Sequence, residues 1–397
     1  MLAKACYLTA IVNSLISSTY GQETTMASAP PATKDWSAED MMRIGAFDVM
    51  PSMRAGVTYD DNIFISSANK RDDVVWSISP YVLLGGGDYR EKEESLLTIE
   101  YSPTFFFFTK NSERNAIDHD AKIESAWRGG SWTVGLDQGF KAYSGTVVDV
   151  GNRVDRQIYD TLAYAKYEIS PKTSVEIETT QSINVYDRPY NSFNEWVVGP
   201  WVDYWLTPKL RLGAGVKAGW VDVQNSANQT YQQGLARLLY VWSDKLEINA
   251  SAGGEVRQYQ GTSRTKTNPV FSLGADYKPF VNTTLGLEGY RRTRNSLALV
   301  NQNYSVSGVG GRVSQVVLER YTLSLGAGYE NLDYHSTQAA AVATRRDNYY
   351  FTRVGADWDA TDRLSVGLFY FYRQNDSTIG VSEFTNNQTG LTVTYAF

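Results

Sequence analysis

The chain is poor in the residues on which most site chemistry depends. Its 397 residues include one cysteine, Cys6, and two histidines, His119 and His335. A single cysteine excludes a disulfide scaffold, and two histidines far apart in sequence leave little for histidine-based metal or acid–base chemistry. Basic charge is also scarce. The 37 Lys and Arg are outnumbered by 43 Asp and Glu, for a net charge of -6. A nucleic-acid binder needs a basic face to displace counterions, so that class is excluded. No apolar run is long enough for a helical membrane span. GxSxG, HExxH and paired-cysteine motifs are absent. The acidic pairs Asp60–Asp61 and Asp72–Asp73 lack the spacing of an EF-hand loop. Gly85-Gly86-Gly87 lacks the strand-to-helix setting of a phosphate loop and reads as a tight turn. No cofactor, metal or catalytic residue is expected, and both histidines read as solvated loop residues.

What is abundant is glycine, 32, tyrosine, 27, and tryptophan, 10, in a chain of mean hydropathy -0.35. The first 21 residues have the form of a secretory signal: Lys4, a short apolar core from about Cys6 to Ile16, then Thr19 and Gly21 as the small residues of a cleavage site. Residues 22–45 are small, polar and Pro-containing, and read as a flexible periplasmic leader. From 46 to 397 no domain break interrupts a single repeating pattern. Leu210, Leu212, Ala214, Val216, Ala218 and Trp220 alternate with Arg211, Gly213, Gly215, Lys217 and Gly219. Leu364, Val366, Leu368, Tyr370 and Tyr372 alternate likewise with Arg363, Ser365, Gly367, Phe369, Phe371 and Arg373. A period of two is that of a strand with two unlike faces, whereas a helix repeats every three to four residues.

Links between these segments alternate short and long. Short ones fall at Gly129–Gly130, Ser170–Lys172, Thr207–Pro208 and Ser243–Asp244, with Trp127, Trp132, Trp205, Trp242 and Trp358 beside such turns. Longer ones include Asp61–Asp72, Ser144–Arg156, Arg292–Asn303 and Asn331–Arg346. Short turns on the periplasmic side, long loops outside and interfacial aromatics are the marks of a transmembrane barrel. The expected fold is therefore all-β, an up-and-down antiparallel transmembrane β-barrel of about 18 strands running from 47–59 to 386–397, with 16 as the fallback. Segments 157–168, 195–206, 231–242 and 303–316 are the least regular. On the lumen face or its rim the pattern places Arg211, Lys217, Glu247, Glu255, Arg257, Glu288, Arg353 and Arg363. Charges of both signs can set selectivity or neutralise one another.

Leu391, Val393, Tyr395 and Phe397 form the apolar face of the last segment. That ending resembles the terminal strand of outer-membrane barrels, where it implies recognition by the barrel-assembly machinery. Pro51 with Tyr59, Asp60, Asn62 and Phe64, followed by Ile78-Ser79-Pro80, resembles the opening of the β-barrel porin 2 family, which includes the EpsL-like outer-membrane proteins of exopolysaccharide operons. The resemblance covers about 35 residues and implies a barrel in the outer membrane of a Gram-negative bacterium. It further implies outer-membrane lipids as surroundings, and a polysaccharide and a periplasmic export lipoprotein as partners. No family residue of known catalytic role carries over. The functional expectation is a passive channel assisting exopolysaccharide export. A general diffusion porin, a barrel enzyme of lipase or protease type, and a structural barrel with a plugged lumen are the alternatives.

Overall fold

The structure, a computed structural model, describes residues 42–262, 264–338 and 345–397. The expected signal segment and most of the leader lie outside those residues. The strands are β1 Met42–Ile44, β2 Phe47–Asp60, β3 Asp73–Gly87, β4 Leu96–Phe108, β5 Ala116–Gly129, β6 Trp132–Val147, β7 Asn152–Ser170, β8 Thr173–Tyr186, β9 Phe193–Thr207 and β10 Leu210–Val223. They continue with β11 Gln229–Ser243, β12 Leu246–Tyr259, β13 Thr265–Phe280, β14 Thr283–Asn295, β15 Gln302–Val317, β16 Tyr321–Ser336, β17 Arg346–Asp359, β18 Leu364–Ser377 and β19 Phe384–Ala396. From β2 to β19 each strand pairs antiparallel with its successor, and β19 pairs with β2. Eighteen strands thus close an up-and-down barrel. Closure leaves no strand edge exposed, which a lipid environment requires because it offers backbone groups no partners.

All four irregular segments are strands, β7, β9, β11 and β15. The last residues of the leader depart from expectation. Met42–Ile44 fold back on Phe47–Val49 as a short hairpin, with Gly45 at a φ of 62° making the turn.

The outward face shows why the pattern of two was so regular. On β16, Leu323, Leu325 and Ala327 point outward between Tyr321 and Tyr329; on β17, Val354 and Ala356 lie between Trp358 and Tyr350. Tyr321 stacks on Trp358 at 6.4 Å, and Tyr329 sits 5.1 Å from Tyr350. Eight residues of tilted strand separate these two aromatic rows, on the order of 20 Å along the barrel axis. An apolar band rimmed by aromatic rows is the exterior of a membrane-spanning barrel. Trp127, Trp132, Trp242 and Trp358 are exposed in it, as are Leu391, Val393, Tyr395 and Phe397. Trp205 is a correction: it shares the inward parity of Trp201 and Asp203, and the Arg211 guanidinium lies over its ring at 5.6 Å.

The seam between first and last strands is joined by nine register pairs, from Ser52↔Ala396 to Asp60↔Gln388. Side chains extend it at the end where β2 finishes and β19 begins. The buried Asp60 carboxylate accepts hydrogen bonds from Asn62 N at 2.8 Å, Asn386 Nδ2 at 2.5 Å and Gln388 Nε2 at 2.8 Å. Asp61 accepts from Asn387 N and Nδ2, both at 2.7 Å. Asn62 donates to the carbonyls of Ser66 and Thr385 at 2.9 and 3.1 Å.

Candidate functional site

The start of β2, the end of β19 and the short turns share one end of the barrel, the periplasmic end by the general rule for such barrels. Around the other half the inward face is packed shut: Val75, Arg156, Tyr231, Tyr259, Leu332, Tyr349 and Asn375 are all buried. Toward the periplasmic end, between β12 and β2, the inward face opens. Glu288, Arg312 and Asp357 are exposed there, with Arg54, Glu247, Asp276 and Arg353 half-buried. The lumen is a periplasm-facing vestibule below a packed external half.

Two external connections do the packing. The β2–β3 loop turns inward at Ile63 and Ile65, both fully buried. Ile63 joins Val75, Phe106 and Phe108, with Phe64 against them and the Arg71 and Arg114 guanidinia over its ring at 5.6 and 5.1 Å. The second is the hairpin of β6 and β7. The segment Ser144–Arg156, expected as a long external link, is instead the end of two long strands joined by the four-residue turn 148–151. Gly151, at a φ of 69°, makes that turn possible, and its N–H bonds Val147 O at 2.8 Å. The turn crosses the lumen to strands about half a circumference away. Val148 is buried among Ile65, Tyr290, Tyr304, Val306, Leu332, Tyr334, Tyr349 and Phe384. The Asp149 carboxylate accepts from Leu297 N at 2.6 Å, Tyr334 Oη at 2.8 Å and Ser296 Oγ at 3.1 Å. Arg345 donates to Asp149 O at 2.7 Å, and Arg373 donates to Thr146 Oγ1 at 2.9 Å. Sequence reasoning missed this element. Its signal was present, since Val147-Val148-Asp149-Val150 is too apolar for a loop that faces water.

Below the packed half, a cavity of about 220 Å³ is cut into the β7–β14 wall, lined in part by Tyr164, Glu176, Glu178, Trp201, Arg211, Lys217 and Arg237. Gly215 makes room for Trp201, whose ring carbons would lie 2.5 Å from a Cβ at that position. The Arg237 guanidinium lies over the same ring at 4.3 Å. The charges here are largely matched. Lys217 Nζ meets Glu178 at 2.5 Å, and Arg237 is bonded to Glu176 at 3.3 Å and to Asp203 on two sides. Higher up, Arg257 holds Glu255 at 2.9 Å and Gln229 at 2.9 Å, with Tyr231 beneath it. Arg211 differs. It is buried, lines the cavity, and makes no hydrogen bond or salt bridge among the described residues.

The sequence candidates therefore divide by place. Arg211 and Lys217 are in the wall cavity, Glu255 and Arg257 in the packed half, and Glu247, Glu288 and Arg353 in the vestibule. Arg363 lies in the exposed turn just before β18, at the rim of the barrel. Of the family-like residues, Tyr59 faces outward, Pro51 receives the N–H of Phe397 at its carbonyl, and Asp60, Asn62 and Phe64 build the seam and the inward loop. Gly85–Gly87 end β3 rather than forming a turn. Both histidines lie in strands rather than in loops. His119 bonds Tyr101 at 2.9 Å, and His335 lies 3.5 Å from Tyr259 Oη and 3.4 Å from Asp333 O. Neither ring meets a serine or carboxylate side chain among the described residues, so the histidine–nucleophile geometry of a barrel enzyme is not formed.

No family model and no curated protein matches the chain. The porin 2 resemblance therefore rests on its own residues. Among solved structures, the chain is similar to Pseudomonas aeruginosa OccK3 (OpdO), at 12% identity and a TM-score of 0.45, covering 88% of this chain and 95% of that one. It is similar to Acinetobacter baumannii OccAB3 at 10% identity and a TM-score of 0.46, covering 88% and 99%. The outer membrane protein opdK of Pseudomonas aeruginosa matches at 12% identity and a TM-score of 0.44, again covering 88% and 99%. At these values they transfer no solute, residue role or assembly to this chain.

Proposed function

We propose that the chain is a passive outer-membrane channel that receives hydrophilic solutes in its periplasmic vestibule and passes them along the β7–β14 wall. The observation that carries this reading is the open, charge-lined inward face between β12 and β2. A barrel that served only as a scaffold gains nothing from leaving Glu288, Arg312 and Asp357 wet inside it. Movement follows width and charge, with no covalent step. Because the wall charges are mostly paired, discrimination by sign falls to Arg211.

The cargo we favour is an exopolysaccharide delivered by a periplasmic export lipoprotein, a reading supported by the resemblance at Pro51, Tyr59, Asp60, Asn62 and Phe64. A general diffusion porin is the broader form of the same proposal. Recognition of Leu391, Val393, Tyr395 and Phe397 by the barrel-assembly machinery belongs with it, and Phe397→Ala is expected to slow insertion into assembly-competent membranes.

The packed external half favours a second reading, a structural barrel with a plugged lumen. Planar-bilayer recording separates the two. Discrete conductance steps from the native chain, or from a chain whose inward hairpin has been released, support the channel. Silence of both at every voltage sinks it.

A further inference from the structure

We infer that the β6–β7 tip is a removable bolt: Asp149, seated in a socket made by Ser296, Leu297, Tyr334 and Arg345, holds the barrel closed from outside, and opening withdraws it. The inference rests on the channel reading and adds to it the moving part.

Three observations point this way. First, the hairpin is complete without the socket. The β6–β7 register runs unbroken to Val147↔Asn152, and Gly151 closes the turn on Val147 O. Second, two members of the socket are held in place without the hairpin, while Leu297 N and Tyr334 Oη lose their acceptor when it leaves. Arg345 is clamped on Asp347, with Nε 3.0 Å from both carboxylate oxygens and Nη2 2.6 Å from Oδ2, and Asp347 is held in turn by Ser377 Oγ at 2.6 Å. Ser296 Oγ, besides meeting Asp149, accepts from Leu299 N at 3.0 Å within its own loop. The halves meet through the turn and the strand residues next to it, Thr146, Val147 and Val154, and each keeps its own backbone pairing when they part.

Third, the joint is polar at its centre. Asp149 is the one acid of the turn, and its carboxylate meets a backbone N–H and two hydroxyls, with the nearer Arg345 nitrogen at 3.8 Å. Val148 enters the large apolar cluster, and Val147 and Val150 join a smaller one that includes Leu297 of the socket loop. Withdrawal therefore uncovers three valines and one carboxylate. Water re-solvates that carboxylate readily, since it carries no tight ion pair of its own.

The test uses the full chain in planar bilayers. Asp149→Ala removes the bolt, and the pair Asp149→Cys with Ser296→Cys replaces it with a bond that an oxidant closes and a thiol reductant opens. The Asp149 and Ser296 side chains already lie 3.1 Å apart, and Cys6 is the chain's one other cysteine. The expected result is a several-fold larger open fraction for Asp149→Ala than for the native chain. The oxidised pair should stay silent, and reduction should restore the steps. If the native chain conducts and neither Asp149→Ala nor reduction of the pair changes its open fraction, the bolt is refuted while the channel stands. If no variant conducts in either redox state, the channel reading fails, and the bolt with it. Should Asp149→Ala fail to fold, the cysteine pair still decides, because disulfide formation itself reports a seated tip.

Discussion

Replacing Asp60 with alanine tests the claim that the first and last strands are held together by side chains as well as by their ladder. Asp60 is 1% exposed and accepts three hydrogen bonds, two of them from β19. A hydrogen bond to a charged group contributes about 1.5–3 kcal/mol net, and bonds that share one acceptor are not additive. Alanine also leaves Gln388 Nε2 buried without this acceptor, and Asn386 Nδ2 with only its longer bonds to Asp61 Oδ1 at 3.2 Å and Asn62 O at 3.4 Å. The expected loss is roughly 3–5 kcal/mol. Asp60→Asn keeps the shape and one acceptor, and the facing amides can rotate to meet it, so about 1–2 kcal/mol is expected there. The control is Asp276→Ala. Its pair with Arg312 is about half exposed, with side-chain exposures of 48% and 65%, and should matter by no more than about 1 kcal/mol. Urea unfolding of the detergent-folded barrel, followed by tryptophan emission and by the heat-dependent shift in electrophoretic mobility, gives the ranking. An Asp60→Ala midpoint that matches Asp276→Ala would refute the seam argument.

Three further outcomes follow from the faces of the barrel. Leu325→Arg puts a cation midway between the two aromatic rows on β16, and should destabilise the membrane-inserted barrel by about 2–4 kcal/mol, measured by denaturant titration in bilayers. Arg211→Ala removes the unpaired cation of the wall cavity, so the reversal potential in a salt gradient should move toward cation permeation; an unchanged potential would place the selectivity elsewhere. Gly215→Val pushes a branched side chain into the Trp201 ring and should cost about 1–3 kcal/mol in the same urea assay, while Val216→Ala, at the next position and on the outward face, should be nearly neutral.

Legibility in the sequence tracked the environment of the inward face. Where that face carries charge or glycine, as over 211–219 of β10 and 322–328 of β16, the apolar residues point outward and the period of two is plain. Where the lumen is packed, both faces become apolar and the alternation degrades. Ile158 and Leu162 on β7, Trp201 on β9, Leu239 on β11, and Tyr304 and Val306 on β15 are buried inward residues, which is why those four segments looked irregular. Strand order and closure needed only the pattern and the turns. The bolt needed a contact between Asp149 and residues up to 196 positions away, and nothing local in a sequence encodes which strands lie across a barrel. The Asp60 and Asn62 motif was visible as a motif, but its partners, Thr385, Asn386 and Gln388, became visible only once the ends of the chain met.

The two aromatic rows on β16 and β17 also set a length that lipids must match. A band on the order of 20 Å is shorter than the hydrocarbon core of an average bilayer, about 30 Å. The surrounding leaflets must therefore thin toward the protein, at a cost of fractions of a kcal/mol for each ångström of mismatch. Such a barrel is at ease in a thin membrane such as the bacterial outer membrane, and is pressed to seek neighbours of equal height in a thicker one.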